Sequence, residues 1–598
     1  MKQHPRITYT NRIQKKQVDL ARIERKIGLL SWLRLFTLAV GAALVWAGFH
    51  GYPDAFSTLF VPLLLFVVLV VIHAIFHTTR ERLVQTIDYY QSAVNRVDDK
   101  WVGQGNQRTD LVGENHPYAL DLDIFGPGSL FELLSTAKTE SGERTLARWL
   151  SMLPPPGEII ERQEAVQELT PRIKLREKCA LIGEKVRTAL SPDDLIQWAT
   201  RAPVFGRWQR LYSLCAVFTG ISALGLFFSW LFLDTPLLLM LIPLFLVLVM
   251  RAITGRQVSE VIVPLTRASR ELIVLGHGLA LIENLPVTSQ RLAGLKTRLK
   301  HEDKSPSEII AALNRHVAWL ESRRNQIFAP VAFFLLWELQ FSHRIEKWRL
   351  IHGEDIATWL SVMGEFEALL ALSNYSFEHP ADPFPRLSEE PHCFDAREMG
   401  HPLLGAEHFV TNSLTFKSPE QLYVISGSNM SGKSTFLRTI GVNMVMAYAG
   451  CTVRCSSMSI ASFHLASSLK VSDSLMQGVS KFYAEIRRMK TILNLSSDPD
   501  HPVFFLMDEI FQGTNSHDRQ LGAQALFREL IRRGALGLIT THDLALTTPP
   551  DDLKNQFVNM HFSDSLLEGK LHFDYRIQEG IVRQSNALEL MRSVGLHV

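Results

Sequence analysis

Apolar residues along the chain follow two different patterns. In four places they run almost without interruption: 31–50 (SWLRLFTLAVGAALVWAGFH), 57–77 (STLFVPLLLFVVLVVIHAIFH), about 212–233, and 236–250. A helix needs about 20 apolar residues to cross the hydrocarbon core of a bilayer. The first two runs are joined by GYPDAF and the second two by Asp234, Thr235 and Pro236, so each pair predicts a helical hairpin. Elsewhere, across 116–200 and 257–375, apolar residues recur every three or four positions, as in amphipathic helices. The segment 131–153 follows this period, with Gly142 as a local weak point. Pro154–Pro156 stop it, and GEIIERQEAVQEL opens another helix. The stretch 327–337 is apolar but too short to span and ends at Glu338, which predicts a packed helix. Four prolines and no periodicity make 376–395 a linker, and short buried strands then alternate with helices, an α/β pattern.

Charge sets an orientation for the hairpins. Residues 1–30 carry Lys2, Arg6, Arg12, Lys15, Lys16, Arg22, Arg25 and Lys26 against Asp19 and Glu24. Arg80 and Arg82 follow the second run, Arg201, Arg207 and Arg210 precede the third, and Arg251 and Arg256 follow the fourth. The two connectors contain Asp but neither Lys nor Arg. Basic flanks stay on the cytoplasmic side, so both hairpins are expected to enter from there. That predicts a multi-pass membrane protein of about four spans, with the termini and the bulk of the chain in the cytoplasm. The first span lies too far from the N-terminus for an ordinary cleavable signal peptide.

Composition agrees once it is localised. The 598 residues are 46% hydrophobic and only 20% charged, and the mean hydropathy is +0.06. These values exclude a disordered chain and a small disulfide scaffold, and the formal net charge of +2 argues against a polycationic nucleic-acid coat. Five scattered cysteines fit a reducing compartment. Cys451 and Cys455 have no second ligand pair and read as small buried residues.

The chemistry begins at residue 421. QLYVIS predicts a strand, GSNMSGKST (427–435) follows, and then an apolar helix runs to about Tyr448. A strand, a GxxxxGK[ST] loop and a helix form a phosphate-binding loop in its required context. Gly427 and Gly432 let backbone N–H groups face an anion, and the helix N-terminus adds its dipole. Lys433 would reach the β- and γ-phosphates and Ser434 would ligand Mg²⁺. A second strand, VFFLM (503–507), ends in Asp508, suited to the Mg²⁺ shell, and Glu509, suited to orienting or deprotonating a water. A third, LGLIT (536–540), ends in Thr541, His542 and Asp543, placing a histidine where it can contact a γ-phosphate. Three such strand ends predict a nucleoside-triphosphate hydrolysis site.

GSNMSGKST, DEIFQGTNSHDR (508–519) and TTHDLALT (540–547) resemble the ATPase domain of the MutS family, within the ABC class of P-loop ATPases. DSLMQGVSKFYAEIRRMKTIL (473–493) resembles that family's signature-helix region, and HPLLGAEHFVTN (401–412) the strand before its nucleotide. Residues 561–596 are similar to its C-terminal end, 123–169 to the start of its core and lever, and MGEFEALLALSNYS (363–376) to the stretch before its ATPase. The resemblance implies Asn429, Lys433, Ser434 and Thr435 at phosphates and Mg²⁺, Asp508 in the metal shell, Glu509 as catalytic base and His542 as γ-phosphate sensor. It implies Ser480 contributed in trans, and Phe409, Val410 and His561 around the adenine. It further implies a homodimer with two ATP molecules at its interface.

The resulting layout is a basic tail (1–30), a first transmembrane hairpin (31–77), a connector (78–115) and a helical core/lever region (116–375) interrupted by a second hairpin (212–250). A linker (376–395) and an α/β ATPase domain (396–598) complete it. The chain departs from the MutS pattern at its N-terminus, where the tail and hairpin stand in place of the mismatch-reading and connector modules. Its only Phe-x-Glu, Phe527–Glu529, falls on a helix of the ATPase domain. The second hairpin falls near the family's DNA clamp. The leading expectation is therefore a membrane-anchored MutS-like ATPase acting on DNA through backbone or structure contacts, or on a membrane-proximal protein. A DNA-independent membrane scaffold or switch is the alternative. An ABC transporter half fits less well, with four spans and no transporter signature.

Overall fold

Among the described residues, helices dominate as far as Glu378, with largely irregular chain over 98–129, and two β-sheets with their helices follow. The computed structural model describes all residues except 1–3, 53, 114, 184–190, 207–208, 234, 301–303, 406–408, 471–480, 499–500, 568–569 and 583–598.

The N-terminal hairpin is longer than its apolar part. Pro5–Phe49 is one helix, so residues expected as a basic tail continue directly into the apolar run. Pro5 occupies the first turn, where its missing N–H is no loss, and no proline interrupts the ladder before Gly51, which turns the chain at φ 103°. The returning helix, Phe60–Val97, likewise runs on into the expected connector. The basal halves pack on each other and on the helix Ile173–Gly183 through Tyr9, Ile13, Tyr90, Ala93 and Ile173. Arg12 and the Tyr90 hydroxyl donate to Glu177. The distal halves carry exposed Trp32, Phe36, Trp46, Phe60, Val61 and Leu64.

The second hairpin is built alike. Gln209–Leu233 descends, and Leu241–Glu283 returns as a helix of 43 residues that continues well past the apolar run and contains Pro264. Among the described residues, five helices are long and apolar enough to cross a membrane by length and composition. Four belong to the hairpins, and little of each apolar window is buried within the protein. The fifth, Asp355–Glu378, is 78% buried over its window and is a core helix.

Around that central helix pack Glu140–Ser151, Pro156–Leu169 and the basal part of Leu241–Glu283. The segment expected as one helix over 131–153 is two, Leu130–Leu134 and Glu140–Ser151. The break falls at Ser135–Thr139 rather than at Gly142, because polar caps are available there. Thr139 Oγ1 accepts from Gly142 N at 3.1 Å, and the Glu367 carboxylate accepts from Lys138 N and Thr139 N at 3.1 and 3.2 Å. Burial pushes the Glu367 carboxyl up to about 7 against these hydrogen bonds. Residues 327–337 form only a short helix, Ala329–Phe334, which Leu336 (φ 47°) separates from Trp337–His352.

The stretch 376–395, expected as a linker, is held in place. Its prolines end the central helix after Glu378 and set an extended path; Pro385 O accepts from Gln163, and β1 (Arg386–Leu387) pairs with β5 (Ser457–Ile460). With β2 (Phe394–Met399) and β3 (Asn412–Thr415) these make a four-stranded sheet of order β1-β5-β2-β3. The second sheet has the order β10-β9-β4-β8-β7-β6. Its strands are β4 (Leu422–Ser426), β6 (His464–Ser468), β7 (Val503–Asp508), β8 (Leu536–Thr541), β9 (Phe557–Leu567) and β10 (Lys570–Glu579). All neighbours are parallel except β9 and β10. Near-continuous burial along β4, β7 and β8 is what helices on both faces of a parallel sheet require. One apolar core runs without a gap from Trp101 through the central helix to Phe562, so the helical region and the sheets share an interior.

Candidate active site

Parallel β4, β7 and β8 end side by side, and the residues singled out at those ends meet. The loop after β4 leads into the helix Lys433–Ala449. Gly427 (φ 155°) and Gly432 (φ 101°) hold its backbone where other residues are strained. A Cβ at Gly427 would lie 3.0 Å from Phe562 O, and one at Gly432 would lie 3.1 Å from the Tyr575 ring. Inside the loop the Lys433 ammonium donates to the carbonyls of Gly427 and Ser428, each at 2.8 Å. Its burial lowers the lysine pKa, opposed by Glu509 and Asp508. The hydroxyls of Ser428 and Ser431 are buried without a hydrogen-bond partner among the described residues. Buried polar atoms in that condition call for a ligand or water, and both belong to the loop whose backbone suits an anion.

Beside the loop, Ser434 Oγ donates to Asp508 Oδ2 at 2.5 Å, and Thr540 Oγ1 donates to the other oxygen, Oδ1. A hydroxyl and a carboxylate in contact are hard oxygen donors of the kind Mg²⁺ takes. Glu509 has φ 52°, an uncommon conformation for a non-glycine, and its N–H donates to Thr540 O at 3.1 Å. Its carboxylate meets His542 Nδ1 at 2.9 Å and accepts from the Gln512 side chain. The site therefore places a carboxylate and a histidine in contact beside an anion-shaped loop.

Other expected residues lie differently. Asn429 and Thr435 are exposed, on the loop crest and the first helical turn. Phe409 packs its ring on Gly400, with the Arg454 guanidinium 5.5 Å above it. Val410 is partly exposed, and His561, paired with Ser426 across β9 and β4, meets Gly580 O through Nδ1 at 3.2 Å. Ser480 lies outside the described residues. Phe527 is buried and Glu529 binds Arg532 and Arg533, so this Phe-x-Glu is core and surface of one helix. Cys451 and Cys455 are free and buried, with burial raising both thiols to about 12.

Sequence reasoning did not single out Thr540, Gln512 or Tyr575. The first two sit inside quoted motifs, but their partners follow only from strand register. It also missed a clasp between the helical region and β6. Asp121 is buried and accepts from Ser467 Oγ (2.8 Å), Leu469 N (3.1 Å), Lys470 N (3.2 Å) and Arg488 (3.2 Å). Lys470 also pairs with Asp123 at 2.7 Å, and Arg488 reaches His116 O at 2.8 Å. Among the described residues, one group of metal-ligand type, His464, Asp498 and His501, brings its atoms within 4.8 Å of one another. It lies at the opposite end of β6 and β7 from Asp508.

Residues 423–597 match the family model described as MutS domain V. Over 196 residues the chain is 28% identical to the DNA mismatch repair protein MutS of Streptococcus pyogenes serotype M1, covering 32% of this chain and 23% of that protein. It is 30% identical over 190 residues to DNA mismatch repair protein MutS 2 of Halobacterium salinarum, covering 31% and 22%. It is 31% identical over 202 residues to the DNA mismatch repair protein MutS of Thermotoga petrophila, covering 33% and 25%. The match thus spans a quarter or less of these relatives' length.

Proposed function

For a chain whose C-terminal domain belongs to the MutS family, we propose a membrane-anchored ATPase that hydrolyses ATP at a composite homodimer interface. Its helices pass the motion to DNA. The observation that carries this reading is the meeting of three strand ends. They join a loop with two orphaned serine hydroxyls, a Ser434–Asp508 pair and a Glu509–His542 pair.

In this mechanism the loop's N–H groups and helix N-terminus bind the phosphates. Lys433 exchanges its two carbonyl acceptors for phosphate oxygens. Ser434 and Asp508 would hold Mg²⁺, which supplies charge neutralisation at the β- and γ-phosphate oxygens. Thr540 fixes the rotation of Asp508. Glu509 orients the attacking water and takes its proton. His542, held through Nδ1, keeps Nε2 for the γ-phosphate. Asn429, Thr435 and Met430, the last 86% exposed, stand where a partner subunit would approach, with Ser480 of each protomer completing the other's site. The adenine is assigned to Val410 and His561, and Phe409 would have to leave Gly400 to join them.

Membrane anchoring rests on the exposed apolar halves of both hairpins, too large an apolar surface for water. The basic flanks support a cytoplasmic position for the ATPase. Lys433→Ala should abolish nucleotide binding and turnover. Glu509→Gln should keep ATP binding and lower turnover by about 10²–10⁴-fold, the usual contribution of a general base. Turnover within a few-fold of wild type in either variant overturns the site assignment. The DNA part is tested by filter binding of detergent-solubilised protein to branched, mismatched and plain duplexes across a salt series. A salt-sensitive affinity supports it. No binding in any nucleotide state leaves the second reading, a DNA-independent membrane switch. That reading is favoured by the placement of Phe527 in the core.

A further inference from the structure

The second hairpin carries two recesses lined by consecutive residues of one segment, 330–335 in the first and 336–339 in the second. The first, of about 270 Å³, lies between the descending helix and the short helix Ala329–Phe334. Its lining is wholly apolar and includes Ala223, Phe227, Met240, Val331 and Phe334. The second, of about 260 Å³, is lined by the next residues of the same wall, Leu336 to Leu339, and by the returning helix from Arg251 onward. Arg251 is the first charged residue after the apolar run. Polar groups therefore begin where the apolar surface ends.

The polar recess holds two arginines on one carboxylate. Arg251 donates to Glu338 Oε2 at 3.2 Å, and Arg323 donates to Oε1. One acid thus fixes two guanidiniums, each with further N–H groups, and leaves a net positive charge. Thr254 and Ser259 line the same recess. Aromatic rings gather beside it: Trp337 stacks edge-on with Trp319 and Phe328 at 6.2 and 5.0 Å. Ile327, next to them, is 89% exposed. Tryptophans with a basic rim are what the level of lipid headgroups selects. Between the recesses stands Leu336 at φ 47°, an uncommon conformation for leucine. It lets one wall run along the apolar helix and then turn away to present Glu338.

We propose that this cleft binds one anionic glycerophospholipid, an acyl chain in the apolar recess and the phosphate against Arg251 and Arg323. The proposal rests on the membrane reading above. Paired guanidiniums match a phosphate diester by forked hydrogen bonds. A free phosphate would satisfy the arginines but not the apolar recess, so the two sources can be told apart.

The test uses the full chain extracted in detergent. Phosphatidylglycerol and phosphatidylcholine of identical acyl chains are titrated and bound lipid is counted by native mass spectrometry, with inorganic phosphate as competitor. Phosphatidylglycerol should bind in preference, and inorganic phosphate should not displace it. Arg251→Gln with Arg323→Gln should weaken phosphatidylglycerol binding about thirty-fold, from about five-fold per basic group at an anionic surface. Ala223→Phe, which fills the apolar recess, should weaken both lipids. Glu338→Gln leaves both arginines and removes the competing acid, so it should retain or strengthen phosphatidylglycerol binding. Equal affinity for the two lipids, displacement by phosphate, or loss of binding in Glu338→Gln overturns the proposal. Alkaline carbonate washing of membranes separates this from the reading beneath it. A chain released by the wash refutes the membrane anchor, whereas a retained chain without lipid preference refutes only the lipid site.

Discussion

Replacing Glu378 by alanine should detach the base of the N-terminal hairpin from the rest of the protein. Its carboxylate is 2% exposed and the Arg96 guanidinium 14%. Arg96 donates to it through Nε at 3.1 and 3.2 Å and through a terminal nitrogen at 2.8 Å. Asn374 Nδ2 (3.0 Å) and the Tyr9 hydroxyl (3.3 Å) add to it. Burial lowers the arginine pKa here, but the Glu378 charge and hydrogen bonds outweigh it and leave the pKa raised. The pair therefore holds its charge where it sits. Removing one member of a buried pair costs about 3–5 kcal/mol, because the other is left uncompensated. At 1.36 kcal/mol per decade, the undocked population should rise by about 10^2.2–10^3.7-fold. Exposed Lys100, just past the returning helix, reports it: cleavage by trypsin there follows the open population when reclosing is fast. The double variant Arg96→Met with Glu378→Leu should recover most of the protection, since an apolar pair needs no compensation. Cleavage of Glu378→Ala within three-fold of wild type, or a double variant as labile as the single, refutes the reasoning.

Thr540→Val frees one oxygen of Asp508 and should raise the Mg²⁺ concentration for half-maximal ATPase by about ten-fold or more; an unchanged Mg²⁺ titration argues against Asp508 as the metal residue. Asp121→Ala leaves Arg488 without its buried partner and should destabilise the clasp by about 3–5 kcal/mol, read as faster hydrogen exchange in β6 and the helix Lys481–Leu495, with the loop Gly427–Lys433 unchanged. His401 is held down to about 4, first by burial and then by Arg438. Below about pH 6.5 the unfolded chain takes up a proton that the folded one refuses, so this stability is complete above pH 6.5 and lost as pH falls toward 4. At pH 5 the loss is about 2 kcal/mol, and His401→Gln, which can still accept from Leu403 N, should flatten the denaturation midpoint between pH 7 and 5.

The candidate site was legible in the sequence because its chemistry is carried in short runs. Each of Gly427–Ser434, Asp508–Glu509 and His542 follows a buried strand, and parallel pairing of β4, β8 and β7 brings such ends together. The hairpins were legible as uninterrupted apolar runs, but their extent was not. Hydropathy falls at Arg251 and before Ser31 while the helical ladder continues, since nothing there breaks it. Partners distant in sequence left no trace. Asp121 with Arg488, and Arg96 with Glu378, look like ordinary surface charges until folding buries them. The break at Ser135–Thr139 was missed for the same reason, because its cap comes from Glu367. Phe409 sits in a recognisable motif, yet the space above Gly400, which has no side chain, takes its ring.

The helix Leu241–Glu283 also has a mechanical consequence. Its 43 residues, at about 1.5 Å each, form a strut of about 65 Å. Pro264 removes one hydrogen bond of the ladder and is the natural point of bending. It divides the strut into arms of about 35 and 29 Å. A bend at that point lets the two arms tilt separately, since the missing hydrogen bond takes up the change of angle. A tilt of about 5° moves either tip by roughly 3 Å. One tip is the turn of the second hairpin and the other arm packs on Asp355–Glu378, so a bend at Pro264 lets the hairpin arm swing while the packed arm stays seated.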